Sequence, residues 1–380
     1  MRHLLLLGAL LAMQGAAARK PEAPCDLPCT VEQGKYIVVL ETSAGPRRFV
    51  FDTGASRTTV SERLCREAGI VPAGQNTVGD FEGYRQRIAA ARIPAITIGG
   101  TVFTECPADV LPDSSYVWCL GVDGIVGSDL LQHFVVRFAS DTTLSLARDY
   151  RQFGDLDPEQ ALRLRRAGTR PFVSLHAGNG KERLKLWALF DSGSSGFFDC
   201  RYRECLQLLD RGIVRRVRRT SGHPGHMGWT NRSSVREAVR GTIPRLELAG
   251  HVLPEVPVRE TYGSCSKLGC ELLSRGEAVV DYPGRRFWLL PRTEQPAPAD
   301  TSLRNISVAL EGGRLIVGLV WDESLAGTVA PGDRIVRLGT LDVSEIDPCS
   351  VVRGELRADK PEITVERADG TRAVVPIENL

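Results

Sequence analysis

The sequence lacks a strong excess of charge of either sign. Its 48 Lys and Arg residues face 46 Asp and Glu residues, which leaves a formal net charge of +2 at pH 7. Nucleic-acid binding proteins usually carry a marked basic excess, because phosphate contacts dominate their affinity. We therefore expect no nucleic-acid partner, and the basic run at 211–219 is interpreted as a solvated, arginine-rich surface.

The sequence also lacks an apolar run long enough to cross a bilayer. Residues 4–13 are apolar, but a spanning helix needs about 20 such residues. Arg2 and His3 precede this stretch and the small residues 16–18 follow it, a pattern typical of a secretory signal. We expect residues 1–18 to be a signal peptide, no membrane span, and export to the periplasm or the medium.

Aromatic residues are few, at 6%, whereas the chain has 38 Gly and 22 Pro. This composition favours short strands and turns over long helices. With 380 residues the chain is also too long for one ordinary core, so two or three domains are expected.

Ten cysteines fit an exported protein, and most of them are closely spaced along the chain. Local disulfides are the leading interpretation. The close pairs are Cys25 with Cys29, Cys106 with Cys119, Cys200 with Cys205, and Cys265 with Cys270. A zinc site built from the last two pairs is the competing interpretation, although no His-Cys spacing supports it.

The chain contains an internal duplication. Five segments recur in the same order. They are an apolar strand at 36–40 and 172–175, FVFDTGAS at 49–56 and ALFDSGSS at 188–195, an alternating strand pair at 93–110 and 243–258, GIVGSDLL at 124–131 and SKLGCELL at 266–273, and a closing strand pair at 135–146 and 278–290. The repeat predicts two lobes, at about 30–150 and 168–291. A Pro- and Ala-rich linker at 292–302 separates them from a small domain at 303–380.

FDTGAS, FDSGSS and the later Ile-Val-Gly segment resemble the two-lobed aspartic peptidases of the pepsin and retropepsin type. The resemblance implies an all-β fold with two closed-barrel, double-psi-type lobes. It also implies a peptide or protein substrate, an Asp52/Asp191 dyad that activates water, and no metal or organic cofactor. Two adjacent carboxylates suit this chemistry, since they share one proton and can serve as acid and base.

The residues that follow each aspartate are expected to support the dyad. In the resembled family, the hydroxyls at the positions of Thr53 and Ser192 brace the two loops against each other. Gly54 and Gly193 let the loop backbone approach the carboxylates. Ser194 is expected to support Asp191 as a hydroxyl donor.

The first lobe has Ala55 at the position of Ser194. Without a hydroxyl donor at this position, the pKa of Asp52 is expected to be higher, so the enzyme should be active nearer neutral pH than gastric-type enzymes. Ala55→Ser is expected to move the acid limb of the pH–rate profile to lower pH.

Residues 75–88 are the candidate flap over the cleft, with Phe81 and Tyr84 as the aromatics expected to contact substrate. The corresponding second-lobe segment at 220–231 contributes Trp229.

The C-terminal segment resembles a small α+β PDZ-like domain of bacterial exported proteases, through Pro-Gly-Asp-Arg-Ile at 331–335. The resemblance implies binding of a peptide C-terminus by strand addition. The segment before Leu315 is short, and Gly312 with Gly313 is only a weak candidate for its carboxylate-holding loop, so a packing module or exosite is an open alternative.

Two other interpretations of the whole chain compete with an endopeptidase. The Asp-x-Gly turns could be purely structural Asx turns. The chain could also be an exported, non-catalytic peptide-binding or scaffold protein. Retention of both aspartates together with Thr53 and Ser192 favours the enzyme, because a scaffold needs none of these side chains.

Overall fold

The computed structural model describes residues 23–79, 85–139, 142–224, 235–292 and 304–379, and it is built mostly of β-strands. The predicted all-β character is confirmed at this level. None of the helices within these ranges is long and apolar enough to cross a membrane. The predicted signal peptide lies outside them.

In the first copy of the repeat, residues 25–147, the described residues form ten strands: Cys25–Glu32 (β1), Lys35–Thr42 (β2), Gly45–Phe51 (β3), Thr59–Ser61 (β4), Gln75–Gly79 (β5), Arg85–Ile98 (β6), Thr101–Leu111 (β7), Gly124–Val126 (β8), Val135–Phe138 (β9) and Thr143–Ala147 (β10). Its helices are Glu62–Glu67 (α1), Ser128–Leu131 (α2) and a 3₁₀ helix at Tyr116–Leu120, and a second 3₁₀ helix, Tyr150–Gln152, follows the copy.

The second copy, residues 162–291, forms eleven strands in the part that the structure describes: Leu162–Arg163 (β11), Arg165–Ala167 (β12), Arg170–Gly178 (β13), Arg183–Phe190 (β14), Phe198–Arg201 (β15), Arg215–Gly222 (β16), Arg236–Leu248 (β17), His251–Thr261 (β18), Ser266–Leu268 (β19), Gly276–Asp281 (β20) and Arg286–Pro291 (β21). Its helices are Tyr202–Asp210 (α3) and a 3₁₀ helix at Cys270–Ser274, and a 3₁₀ helix at Pro158–Gln160 precedes it.

The two copies pair their strands in the same pattern. In the first, β3 runs parallel to β8, and β4 lies between β8 and β7, antiparallel to one and parallel to the other. In the second, β14 runs parallel to β19, and β15 lies between β19 and β18, antiparallel to β19 and parallel to β18. This correspondence places the ends of β3 and β14, and the Asp-x-Gly turns that follow them, in equivalent positions.

The strands that carry these turns are central in their sheets. β3 lies between β2 and β8, and its last three residues are all buried. β14 lies between β13 and β19, and it also ends in three buried residues. A strand covered on both faces needs a continuous apolar run, which explains why Phe49–Phe51 and Ala188–Phe190 do not alternate with polar residues. Each aspartate is therefore held at the end of a rigid strand.

The closing strand pairs of the two copies join in one sheet. β9 pairs with β20 antiparallel, with Phe138 opposite Ala278. The hydrophobic core of buried residues is continuous across this junction: the ring centroids of Phe138 and Phe190 are 5.5 Å apart, in an edge-on contact. The two copies thus share a core, and this fixes one turn relative to the other.

The C-terminal unit, residues 304–379, has its own sheet of Ile306–Glu311 (β22), Arg314–Val320 (β23), Arg334–Leu338 (β24), Leu341–Asp342 (β25), Glu362–Glu366 (β26) and Arg372–Pro376 (β27), with Pro348–Val352 (α4) and a 3₁₀ helix at Glu323–Leu325. A separate apolar core, centred on Val317 and Val365, supports it. Gly312 and Gly313 both have positive φ and form the two-residue turn between β22 and β23, with Glu311 opposite Arg314. That tight turn leaves no open loop for a carboxylate there.

The cysteines do not follow the expected local pairing of Cys106 with Cys119, and that prediction is wrong. Cys119 forms a disulfide with Cys349 across 230 residues of sequence, and Cys106 is a buried free thiol. Cys25, Cys29, Cys200, Cys205, Cys265 and Cys270 are also free thiols, so the other three expected local pairs do not form disulfides either. Sequence spacing cannot reveal such a bond, because its two ends meet only when the C-terminal unit packs on the first copy.

Candidate active site

Asp52 and Asp191 lie together in a cleft between the two copies, with a volume of about 1280 Å³. Each is anchored in the same way: the Asp52 amide donates to the carbonyl of Val126 at 3.0 Å, and the Asp191 amide donates to that of Leu268 at 2.8 Å. These carbonyls end the parallel partner strands β8 and β19. The local pseudo-symmetry of the fold therefore brings the two carboxylates to one place.

Thr53 and Ser192 connect the two turns through four hydrogen bonds. The Thr53 hydroxyl donates to the carbonyl of Phe190 at 2.5 Å and accepts from the Ser192 amide at 3.0 Å. The Ser192 hydroxyl donates to the carbonyl of Phe51 at 2.8 Å and accepts from the Thr53 amide at 3.0 Å. Both side chains are fully buried, so each bond satisfies a group that would otherwise be costly to bury.

Gly54 and Gly193 lie directly against the opposite carboxylates. A Cβ added at Gly54 would lie 2.3 Å from Asp191 Cγ, and one added at Gly193 would lie 2.3 Å from Asp52 Oδ2. Neither distance is compatible with a side chain. Glycine is required at both positions because the backbone of each turn packs on the aspartate of the other.

Burial raises the pKa of Asp52 to about 7, and the neighbouring charge of Asp191 adds to the shift. The amides of Gly54 and Ala55 donate to Asp52 Oδ1 at 2.8 and 2.9 Å and act in the opposite direction. Asp52 is therefore the carboxyl that can hold a proton near neutral pH.

Asp191 forms an ion pair with a buried lysine. Lys267 Nζ lies 3.2 Å from Asp191 Oδ2, and both side chains are 9% exposed. Burial lowers the pKa of Lys267, but the charges of Asp191 and Asp199 outweigh it, and the net shift is upward. Lys267 therefore stays cationic beside Asp191.

The symmetry between the copies breaks at this lysine. Lys267 of β19 lies opposite Leu189, two residues before Asp191. At the equivalent register of the first copy, Ile125 of β8 lies opposite Val50, two residues before Asp52. One carboxylate thus has a cation beside it where the other has an apolar side chain.

Lys35 and Cys270 also face the dyad. Burial lowers the pKa of Lys35, and the negative charges of Asp191 and Asp52 oppose that shift. Burial raises the pKa of Cys270 to about 12, so this thiol is neutral, and it donates to the carbonyl of Ser192 at 3.1 Å. Cys270 is thus a hydrogen-bond donor to the Thr53–Ser192 brace, the set of four hydrogen bonds between the two turns, and it is not a reactive thiolate.

The Ser194 hydroxyl does not donate to Asp191, and that expectation is wrong. It donates to Asp199 Oδ2 at 3.3 Å instead. Asp199 is buried and forms an ion pair with Arg259. A buried carboxylate needs several hydrogen-bond donors, and the Ser194 hydroxyl is one of them. The inequality of the two aspartates comes from Lys267, and not from the contrast between Ser194 and Ala55.

The two strands of the predicted flap pair with each other in antiparallel fashion. β5 pairs with β6, with Gln75 opposite Ala89 and Gly79 opposite Arg85, and residues 76–79 line the cleft. Phe81 and Tyr84 lie outside the described residues, and so does Trp229 of the second copy. Their contact with substrate stays a prediction.

Lys267 and Lys35 are the site residues that sequence reasoning missed. One signal was available: when SKLGCELL is aligned with GIVGSDLL, Lys267 takes the position that the apolar Ile125 has in the first copy. Lys35 had no such signal, because it precedes an apolar strand as many solvated lysines do.

No group of three or more His, Cys, Asp or Glu side chains in the described ranges is arranged to hold a metal ion. The polar groups around the dyad are carboxylates, backbone amides, hydroxyls, ammonium groups and the Cys270 thiol. Such a set can move protons and polarise a carbonyl.

A comparison with protein families agrees with this geometry. Residues 38–130 match the family model for aspartyl proteases, and the match ends within α2, past the β8 strand that anchors Asp52. It supports an aspartyl protease and protease activity. No curated protein matches the chain.

Proposed function

We propose that the protein is an aspartic endopeptidase in which Asp52 and Asp191 together activate a water molecule. The observation that carries the proposal is the convergence of both carboxylates in one cleft, with the Thr53–Ser192 brace behind them. The substrate is a peptide or protein bound in extended form, with β5 and β6 offering strand-like hydrogen bonds.

Lys267 assigns different roles to the two aspartates at the start of the reaction. Asp191, held as a carboxylate, accepts a proton from the attacking water, while Asp52 donates its proton to the substrate carbonyl oxygen. The water oxygen bonds to the carbonyl carbon and gives a tetrahedral diol. Asp191 then passes its proton to the amide nitrogen, the C–N bond breaks, and a diol hydroxyl returns its proton to Asp52.

The test is cleavage of casein and of fluorogenic peptides by the wild type, Asp52→Asn and Asp191→Asn, with Asp210→Asn as control. Asp210 is an exposed residue at the end of α3, so the control makes the same change far from the dyad. We expect each dyad variant to lose at least about 100-fold in kcat. A statine-type inhibitor should block the wild type. Equal activity in all four proteins would refute the proposal.

A second candidate function is non-catalytic peptide binding. The observation that favours it is the Lys267–Asp191 pair, because a carboxylate bound to an ammonium group is a weaker base. In that case the wild type binds peptides but cleaves none at any pH, and removing the Lys267 charge creates activity instead of reducing it.

We further propose that the chain is exported after removal of residues 1–18. A disulfide that joins distant parts of the chain suits an oxidising compartment. Mass spectrometry of protein from cell fractions tests this: the mature chain should begin near Arg19 and carry the Cys119–Cys349 bond. Recognition of a peptide C-terminus by a PDZ-like C-terminal unit stays a weaker proposal, since the Gly312–Gly313 turn offers no carboxylate loop.

A further inference from the structure

The C-terminal unit is attached to the wall of the cleft. Cys349 in α4 is bonded to Cys119, which lies in the 3₁₀ helix Tyr116–Leu120 of the first copy. That 3₁₀ helix contributes Tyr116, Val117 and Leu120 to the lining of the cleft. The disulfide therefore joins α4 to an element that lines the cleft containing the dyad.

Hydrogen bonds around the disulfide connect α4 to the same edge. Gln33 Nε2 donates to the carbonyl of Arg353, the residue after α4, at 2.8 Å. Arg353 Nη1 donates to the carbonyl of Cys119 at 3.4 Å. Gln33 lies in the β1–β2 turn, two residues before Lys35, which faces the dyad. Two elements of the first copy thus hold the end of α4 together with the covalent bond.

Two valines of α4 face the cleft. Val352 packs on the apolar cluster that contains Val50, Trp118 and Leu120, while Val351 packs on the core of the C-terminal unit. Both also line the cleft that contains Asp52. α4 therefore joins the core of the C-terminal unit to the wall of the cleft.

The two sides of the cleft differ in polarity. The side formed by the first copy and α4 has an apolar stretch, with Val50, Val117, Leu120, Ile125, Val351 and Val352. The second copy contributes charged residues, with Arg170, Arg259 and Lys267 among them. An apolar recess next to reacting groups gains most from a large apolar side chain of the substrate, because burial of both surfaces removes water.

We propose that Val351 and Val352, together with Val117, Leu120 and Ile125, form a substrate subsite for a large apolar side chain, and that the Cys119–Cys349 disulfide holds its α4 wall in place. This inference rests on the proposed peptidase function. It makes the C-terminal unit a part of substrate recognition for short peptides. A remote exosite would affect only large protein substrates.

The test compares Val352→Ala with Val374→Ala, a valine of the same unit that is 59% exposed and outside the cleft. The substrates are short peptides in which one position near the cut bond is changed at a time to Phe, Leu, Ala or Ser. At the position whose side chain fills the subsite, we expect Val352→Ala to raise KM about 10-fold for the Phe and Leu peptides and to leave kcat nearly unchanged. The preference of the enzyme for Phe and Leu over Ser at that position should become smaller. Val374→Ala should behave as the wild type.

A second variant keeps the test informative if Val352→Ala unfolds. Val352→Ile adds one methylene towards the cleft and should shift the preference from Phe towards smaller apolar side chains. The double variant Cys119→Ser/Cys349→Ser should raise KM for the same Phe and Leu peptides. Mild reductant should raise KM of the wild type in the same way and leave the double variant unaffected.

A binding measurement separates failure of this inference from failure of the peptidase function. Fluorescence anisotropy of a labelled Phe peptide is measured on Asp52→Asn and on Asp52→Asn/Val352→Ala, and the second protein should bind more weakly. A wild type that neither cleaves nor binds peptides overturns the proposed function and this inference with it. A wild type that cleaves peptides with no change in specificity in either Val352 variant overturns this inference alone.

Discussion

Two chemically identical residues are made unequal by their neighbours. Asp52 is flanked by Ile125 at the register where Asp191 has Lys267. In a dyad that shares one proton, a cation on one side decides which carboxylate keeps its charge. The same pair of aspartates in a symmetric environment could exchange roles freely. Here we expect a fixed division between an acid, Asp52, and a base, Asp191.

The pH dependence follows from the pKa of Asp52, which is about 7. Asp52 is useful as an acid only while protonated, so we expect kcat/KM to fall as pH rises through about 7, roughly tenfold per pH unit beyond it. A profile of kcat/KM against pH with a fluorogenic peptide measures this. Full activity retained at about pH 9 would contradict the assignment of Asp52 as the acid.

Lys267 is expected to act as a positioning residue through Asp191. Lys267→Met removes the cation and makes ionisation of the dyad harder, so the acid limb of the pH profile should move to higher pH and kcat at neutral pH should fall. Lys267→Arg keeps the charge and should largely preserve the wild-type profile.

The matched control for Lys267→Met is Lys181→Met, which removes an exposed lysine in the β13–β14 turn. A uniform loss of activity at every pH, with no movement of the acid limb, would show that Lys267 has only a structural role.

At the scale of elements, the site depends on two strand-to-turn units that are joined by the brace. Each Asp-x-Gly turn is held on one side by its parallel strand partner and on the other by the opposite turn. The four bonds of Thr53 and Ser192 lie across the interface, so the geometry of either turn depends on both copies. A two-copy chain can therefore hold the two carboxylates in register without a second molecule.

Thr53→Ala removes one donor and one acceptor from this brace. The Phe190 carbonyl and the Ser192 amide then lose a partner in a buried site, which costs about 1–3 kcal/mol for each unsatisfied group. We expect a lower free energy of unfolding in urea and a lower kcat. Thr53→Ser, which keeps the hydroxyl, should recover most of both.

Thr30→Ala is the matched control for the brace, since Thr30 is exposed and bonds only at the surface. It should leave unfolding within about 0.5 kcal/mol of the wild type. If Thr53→Ala were as mild as Thr30→Ala, the brace would contribute nothing measurable to stability.

At the scale of the whole molecule, the described residues form two copies and a C-terminal unit, and two different kinds of connection join them. The two copies are joined by strand pairing between β9 and β20 and by a common core. The C-terminal unit has its own core and is joined by one disulfide together with contacts such as Gln33–Arg353 and His223–Gly318. The first connection consists of strand pairing and a shared core, whereas the second combines a covalent bond with hydrogen bonds and a cation–π contact between Arg240 and Trp321.

The double variant Cys119→Ser/Cys349→Ser should therefore unfold in two steps. Without the bond, the C-terminal unit gains chain entropy on release, and we expect it to lose about 2–5 kcal/mol of stability. Differential scanning calorimetry should show a separate, earlier transition. Cys25→Ser, at an exposed free thiol, is the control and should not change the curve. A single transition at the wild-type temperature in the double variant would contradict this.

The sequence predicted those parts of the fold and site that depend on local pattern. Asp52, Asp191, Thr53 and Ser192 could be named because the repeated motif places equivalent residues after equivalent strands. The partner of Ser194 and the disulfide of Cys119 could not be predicted. Each depends on a neighbour that is close only in space: the Ser194 hydroxyl bonds to Asp199, and Cys119 bonds to Cys349, which is 230 residues away in the sequence.

By itself, the sequence determined the β-rich architecture, the duplication and the two aspartates, because strand periodicity and a repeated turn are properties of short segments. Only the tertiary structure decided that Lys267 lies beside Asp191 and that α4 lies against the cleft. Both depend on which strands and units pack together, and the free energy of a charge or an apolar side chain depends on what surrounds it after packing.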